Sequence, residues 1–247
     1  MRKSLISWLP ALALLAGCSS LGYERQALTE LTQRYGGEAT LQPGYNFTTR
    51  AGASRGSYLA IHLASPGLGR RYNDLAIPAS SCALLTYQGI AASEPDRYAT
   101  YTVSLTDPDS AVTRRYTYPA TALAQAKRAA DDLVTLVADW QQHEFLAAAG
   151  TFEPAALGTA RPDSLLPLMM RTARALAPLS RYDIEGFKLV EASVGGQRLR
   201  LVQVLASVPR PMARGFFLVT INPARPAGGR FLYGLQLLRQ LPPGARQ

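Results

Sequence analysis

From residue 57 to residue 64 the chain alternates cleanly. Leu59, Ile61 and Leu63 fall on one face, and Tyr58, Ala60 and His62 fall on the other. A period of two predicts a half-buried strand over Ser57–Ala64. Tyr101, Val103 and Leu105 show the same period inside a predicted hairpin of Tyr98–Thr106 and Val112–Tyr118. Its tip, Asp107-Pro108-Asp109-Ser110, combines an Asx-type acceptor with a proline that presets φ. Elsewhere the period is helical. Ala27, Leu28, Leu31 and Tyr35 predict a helix over Tyr23–Tyr35, closed by Gly36-Gly37. Asn73 to about Tyr87 reads as a second helix, with Pro78 in its first turn or at a kink. Leu123, Ala126, Ala130, Leu133, Val137 and Trp140 predict a long helix from Ala120 to Ala148, or two helices meeting near Ala129. A further helix is expected from Ser164 to about Leu179.

Four strands close the pattern: Ile184–Ala192, Arg198–Val208, Gly215–Ile221 and Arg230–Leu238. Ser193-Val194-Gly195-Gly196 joins the first two as a hairpin turn. Glu38–Thr48 reads as partly extended, broken at Pro43-Gly44. Together these elements predict an α+β protein of two small domains, each with helices packed on an antiparallel sheet. The N-terminal α+β domain is expected over residues 23–128 and the C-terminal one over 129–241, with a disordered tail at 242–247.

The first eighteen residues follow neither period. Arg2 and Lys3 precede an apolar run from Leu5 to Leu15, which ends in Leu15-Ala16-Gly17-Cys18. The run is shorter than the roughly 20 apolar residues of a membrane span, and Pro10 interrupts it. A basic start, a short apolar stretch and a small-residue site describe a secretory signal. With its terminal cysteine, the segment resembles the signal peptide and lipobox of bacterial lipoproteins. The resemblance implies cleavage between Gly17 and Cys18, a signal peptide over residues 1–17, and lipidation of Cys18 at the head of a tether over 18–22. It also implies a palmitate-bearing protein of the cell envelope. Ser19, rather than aspartate, follows the cysteine, for which the resemblance, as it holds in enteric bacteria, implies sorting to the outer membrane.

This address changes the reading of the remaining composition. Loss of Arg2 and Lys3 takes the formal charge from +9 to +7. The remaining basic residues are nearly all arginine and are spread along the chain, without the dense run of a nucleic-acid arm. An acylated Cys18 leaves Cys82 as the one free thiol and excludes an internal disulfide. Cys82 sits in an apolar helical segment, where a cysteine acts as a small hydrophobe.

Little else carries catalytic chemistry. Gly52-Ala53-Ser54-Arg55-Gly56 spells Gly-x-Ser-x-Gly, but it falls in a glycine- and serine-bearing turn that leads into a predicted strand, not into the helix of a nucleophile elbow. There is no Cys-x-x-Cys and no His-Glu-x-x-His. No metal or cofactor is expected. Of the two histidines, His62 falls on a strand face, and His143 lies four residues after Asp139 on the predicted long helix, within reach of it. Asp139 and His143 are therefore the weak catalytic candidates. The second half, about residues 130–240, resembles the cone-shaped α+β fold of the nuclear-transport-factor-like superfamily. The resemblance rests on Ala138-Asp139-Trp140 leading into Phe145, a broken segment, a helix and successive antiparallel strands. It implies a curved sheet and a pocket in which an aspartate–histidine pair could work.

The sequence reading is thus a membrane-anchored envelope lipoprotein of non-catalytic type. Its expected partners are membrane lipid, through the acylated N-terminus, and an envelope protein or a small apolar ligand. The alternatives are an isomerase or hydrolase with a cone-fold pocket, and a carrier of lipid or lipoproteins.

Overall fold

A computed structural model describes residues 18–46, 56–158, 161–177, 179–209, 214–226 and 229–238. The expected signal peptide over 1–17 and the expected tail over 242–247 lie outside the described residues. Two four-stranded sheets, each packed with helices, build an α+β fold.

The first sheet holds β1 (Glu38–Asn46), β2 (Gly56–Ala64), β3 (Thr100–Asp107) and β4 (Val112–Pro119) in that spatial order. Its outer pairs are antiparallel, but β2 and β3 run parallel. A parallel pair needs a crossover, supplied here by α2 (Leu68–Arg71) and α3 (Ala76–Ala91). Pro43 does not break β1, which stays in register with Leu59 opposite the proline. An edge strand tolerates the missing donor. The apolar side of the sheet is the predicted one: Leu59, Ile61, Leu63, Tyr101, Val103 and Leu105 are buried. Helix α1 (Cys18–Tyr35) covers it with Ala27, Leu31 and Tyr35, and α3 adds Ala79, Cys82, Ala83 and Ile90. Because α1 begins at Cys18, the expected tether over 18–22 is helical backbone. Pro78 falls in the first turn of α3, where its missing N–H costs little.

Helix α4 (Ala120–Gln141) continues straight from β4 without a break at Ala129. Its Leu123 packs in the first core, while Ala126, Leu133, Leu136, Val137 and Trp140 pack in the second. The long helix expected to reach Ala148 ends at Gln141, and α5 (Phe145–Gly150) follows a turn. His143 adopts φ 60° in that turn, a conformation uncommon for residues other than glycine. After α6 (Pro154–Leu157) and a 3₁₀ turn (Pro162–Leu165) comes α7 (Leu166–Leu176).

The second sheet is an antiparallel meander of β5 (Asp183–Val194), β6 (Gln197–Pro209), β7 (Arg214–Ile221) and β8 (Leu232–Leu238). Val202, Val204, Ala206 and Val208 of β6, with Phe217, Val219 and Ile221 of β7, form its buried face against α4, Met169 and Leu176.

The two domains meet where α3 lies on β5. Leu84 of α3 belongs to the second core, and Phe187 of β5 packs against both. Phe187 also meets Tyr118 at a ring-centroid distance of 5.8 Å. Contact at Gly186 is close enough that a Cβ there would stand 2.5 Å from the Ile77 carbonyl and 2.6 Å from Ser80 Oγ. Backbone and hydroxyls exploit this approach: Phe187 N–H donates to Ser80 Oγ at 2.9 Å, and Ser81 Oγ donates to the Ile184 carbonyl at 3.0 Å.

Candidate functional site

Two clefts stand out, and they differ in chemistry. The first lies within the C-terminal domain, between the end of α4 and α7. It has a volume of about 550 Å³ and is walled by Trp140, Phe145, Met170, Ala173, Ala177 and Leu179. The amphipathic run of α4 places Trp140 there, as the sequence spacing requires. Trp140 is buried and meets Phe217 edge to face at 5.9 Å, while its indole Nε1 has no hydrogen-bond partner. Polar groups stand among the apolar ones: Gln141, His143, Arg174 and Ser180. Gln141 is fixed by donating from Nε2 to the Leu179 carbonyl at 2.5 Å. A volume in the range of about 300–1,000 Å³ with mostly apolar walls suits a small ligand.

The second cleft lies between the domains and is larger, at about 700 Å³. At its floor is Glu185, 1% exposed, at the β-bulge where β5 slips register against β6. Four side chains converge on this carboxylate. Ser207 Oγ donates to Oε1 at 2.5 Å, and an Arg214 guanidinium N–H donates to the same oxygen at 2.7 Å. Tyr72 O–H donates to Oε2 at 3.0 Å, and the Arg34 guanidinium stands 3.8 Å away. Burial, then the Glu185 charge, pushes the Tyr72 phenol well above its ordinary value, so the tyrosine stays a donor. Arg34 also donates to the Ile184 carbonyl. Tyr72 and Arg34 come from the first domain, and Glu185, Ser207 and Arg214 from the second. A buried carboxylate is thereby paired and hydrogen-bonded, which meets the condition for keeping a charge out of water.

The catalytic candidates from the sequence do not assemble. Asp139 sits on α4, half-buried, and burial followed by the Glu144 charge raises its carboxyl above the usual range. His143 lies past the helix end, exposed, with its ring 5.7 Å from Phe145. No hydrogen bond or ion pair joins Asp139 to His143 among the described residues. His143 lines the apolar cleft and Asp139 does not. His62 is exposed on the outer face of β2, paired between Thr40 and Ser104. Cys82 is fully buried, and burial pushes its thiol up to about 12, the opposite of an activated nucleophile.

The carboxylate tip of the first hairpin has a structural use. Asp107 accepts backbone N–H groups from Gly67 at 3.1 Å, Gly69 at 2.9 Å and Asp109 at 3.1 Å. These bonds, that from Gly69 foremost, lower its carboxyl below the usual value. Among the described residues no three histidine, cysteine, aspartate or glutamate side chains could hold a metal. No described helix is long and apolar enough to cross a membrane. The backbone of Cys18 opens α1, and Gly17 lies outside the described residues.

Compared with known proteins, the chain matches no family model, no curated protein and no solved structure.

Sequence reasoning missed the Glu185 cluster because its members lie far apart along the chain. One signal was present. Asp183-Ile184-Glu185-Gly186 puts an acid and a glycine inside a strand pattern, and a strand glycine marks a bulge or a close approach.

Proposed function

We propose that this chain is a lipid-anchored protein of the bacterial envelope that binds a small apolar ligand in its C-terminal domain without chemical turnover. The observation that carries the binding is the cleft of about 550 Å³ walled by Trp140, Phe145, Met170 and Leu179. The anchor rests on Leu15-Ala16-Gly17-Cys18 after a short apolar run. Diacylation of that cysteine, with about 0.8 kcal/mol per buried methylene, holds a protein at a membrane durably. What supports a non-catalytic role is that His143 lines the cleft without Asp139 and that no hydrogen bond joins the two among the described residues.

Trp140 supplies the test. The chain contains two tryptophans, and Trp8 lies in the expected signal peptide. In the protein spanning residues 19–247, Trp140 is then the single indole. Titration with a brominated fatty alcohol quenches its fluorescence saturably, and Met170→Glu abolishes the quench. An unquenched Trp140 removes the binding reading. Hydrolysis of generic ester, peptide or glycoside substrates by the purified protein removes the non-catalytic one. For the anchor, Cys18→Ala moves the protein from the membrane fraction to the soluble fraction; a variant that still sediments with membranes contradicts it.

A further inference from the structure

The cleft between the domains is lined by one more cation than carboxylate. Arg34, Arg71, Arg181 and Arg214 line it. The facing carboxylates are Glu30, Asp183 and Glu185. Glu185 takes up Arg34 and one N–H of Arg214. Arg71 is held by the Tyr35 carbonyl and Ser65 Oγ, both at 2.7 Å, and has no carboxylate within ion-pair distance among the described residues. Arg181 stands 3.7 Å from Asp183, with its side chain 77% exposed. That separation is longer than a hydrogen bond, so the donors of Arg181 are unspent. Arg214, 54% exposed, spends one guanidinium nitrogen on Glu185 at 2.7 Å and stands 4.0 Å from Asp183 through the same nitrogen; its other terminal nitrogen meets no carboxylate among the described residues.

We infer that this interdomain cleft is a second binding site, for a ligand bearing a phosphate group. Guanidinium forks match phosphate oxygens two at a time, and a phosphate has oxygens enough for more than one fork. The cavity, about 700 Å³, is much larger than one phosphate, so the group belongs to a larger molecule. Tyr72, Leu85 and Phe216 give its remainder an aromatic and apolar wall. Arg71 comes from α2 in the first domain, and Arg181 and Arg214 flank β5 and open β7 in the second. A phosphate held by both sets bridges the domains at the seam that Glu185 already ties. Two sources fit this chemistry: a soluble phosphomonoester, and the headgroup of an anionic phospholipid.

The test uses the processed full chain in nonionic detergent micelles, followed by phosphorus NMR. One arm titrates glycerol phosphate. The other titrates phosphatidylglycerol into the micelles, with phosphatidylcholine as its control. Sodium chloride holds ionic strength constant, because exposed charges are screened by salt. Saturable line broadening with glycerol phosphate identifies a soluble ligand. Saturation with phosphatidylglycerol alone identifies a headgroup. In either case the Arg71→Gln, Arg181→Gln double variant binds at least about tenfold more weakly, the loss of one charged hydrogen bond. Arg181→Gln alone weakens binding too, and it removes no bond that holds the fold. Arg161→Gln, at a side chain 85% exposed and outside both clefts, binds like the parent. Two results overturn the assignment: neither arm saturates, or Arg181→Gln binds as tightly as the parent.

Discussion

Gly186→Ala probes the seam between the domains at its tightest point. The glycine has ordinary backbone geometry, so the substitution tests space and not conformation. An added methyl would stand 2.5 Å from the Ile77 carbonyl and 2.6 Å from Ser80 Oγ. Both belong to α3, the helix of the first domain that lies on β5. To admit the methyl, α3 must move off the strand. Two hydrogen bonds then fail, Phe187 N–H to Ser80 Oγ at 2.9 Å and Ser81 Oγ to the Ile184 carbonyl at 3.0 Å. Each contributes about 0.5–1.5 kcal/mol net. Crowding in a packed interior adds about 1–3 kcal/mol. A loss of about 3 kcal/mol lowers Tm by roughly 6–12 °C in a chain of this size. Thermal unfolding followed by circular dichroism measures it. Gly150→Ala is the control, because nothing lies within 4 Å of its added methyl. If Gly186→Ala melts with the parent and Gly150→Ala, the two domains do not depend on this contact and the reasoning fails.

Three further substitutions or probes follow from the same geometry. Tyr72→Phe deletes the donor to Glu185 Oε2 at 3.0 Å; the loss is about 1.5–3 kcal/mol by urea unfolding, and an unchanged midpoint would place Glu185 in water. Burial, then Glu144, raises the Asp139 carboxyl in the fold, so wild-type stability falls as pH rises from the usual carboxylate value through the raised one. Asp139→Asn escapes this loss: its Tm exceeds the parent's at pH 7, and the gain vanishes at pH 3. A gain that persists undiminished at pH 3 contradicts the linkage. Cys82, buried with its thiol pushed up to about 12, does not react with a disulfide reagent at pH 8 until the protein is unfolded; reaction of the native protein within minutes refutes the burial.

How far the sequence carried differs between elements and sites. Strands β2 and β3 were legible because apolar residues facing the core alternate with small or polar ones, which writes a period of two into Leu59, Ile61 and Leu63 and into Tyr101, Val103 and Leu105; β4 was legible from the turn at Asp107–Ser110 that sets it beside β3. The meander from β5 to β8 was legible because turns bearing glycine or proline separate its strands. The parallel pairing of β2 with β3 was not, since period shows which face is buried and not which neighbour pairs. The end of α4 at Gln141 was missed because Phe145, Ala148 and Ala149 continue an apolar rhythm past the turn, while His143 takes a conformation that its residue type does not announce. That turn also separated the candidate pair of Asp139 and His143. The apolar cleft was half visible, through Trp140 and Phe145. The arginine cleft was invisible, because its charges come from α1, α2 and the starts of β5 and β7, and only the fold brings them together.

Helix α4 has a consequence for the order in which the protein can acquire its structure. Synthesis delivers the chain from its N-terminus, and the first core lacks Leu123, its last fully buried member, until this helix emerges. The residues that follow it on the same rod, from Ala126 to Trp140, are the opening wall of the second core. Completion of the first half therefore presents an already formed template to the second. A cut within α4 would leave the first core without Leu123 or the second without its wall from Ala126 to Trp140, so the two domains share an element and do not divide cleanly.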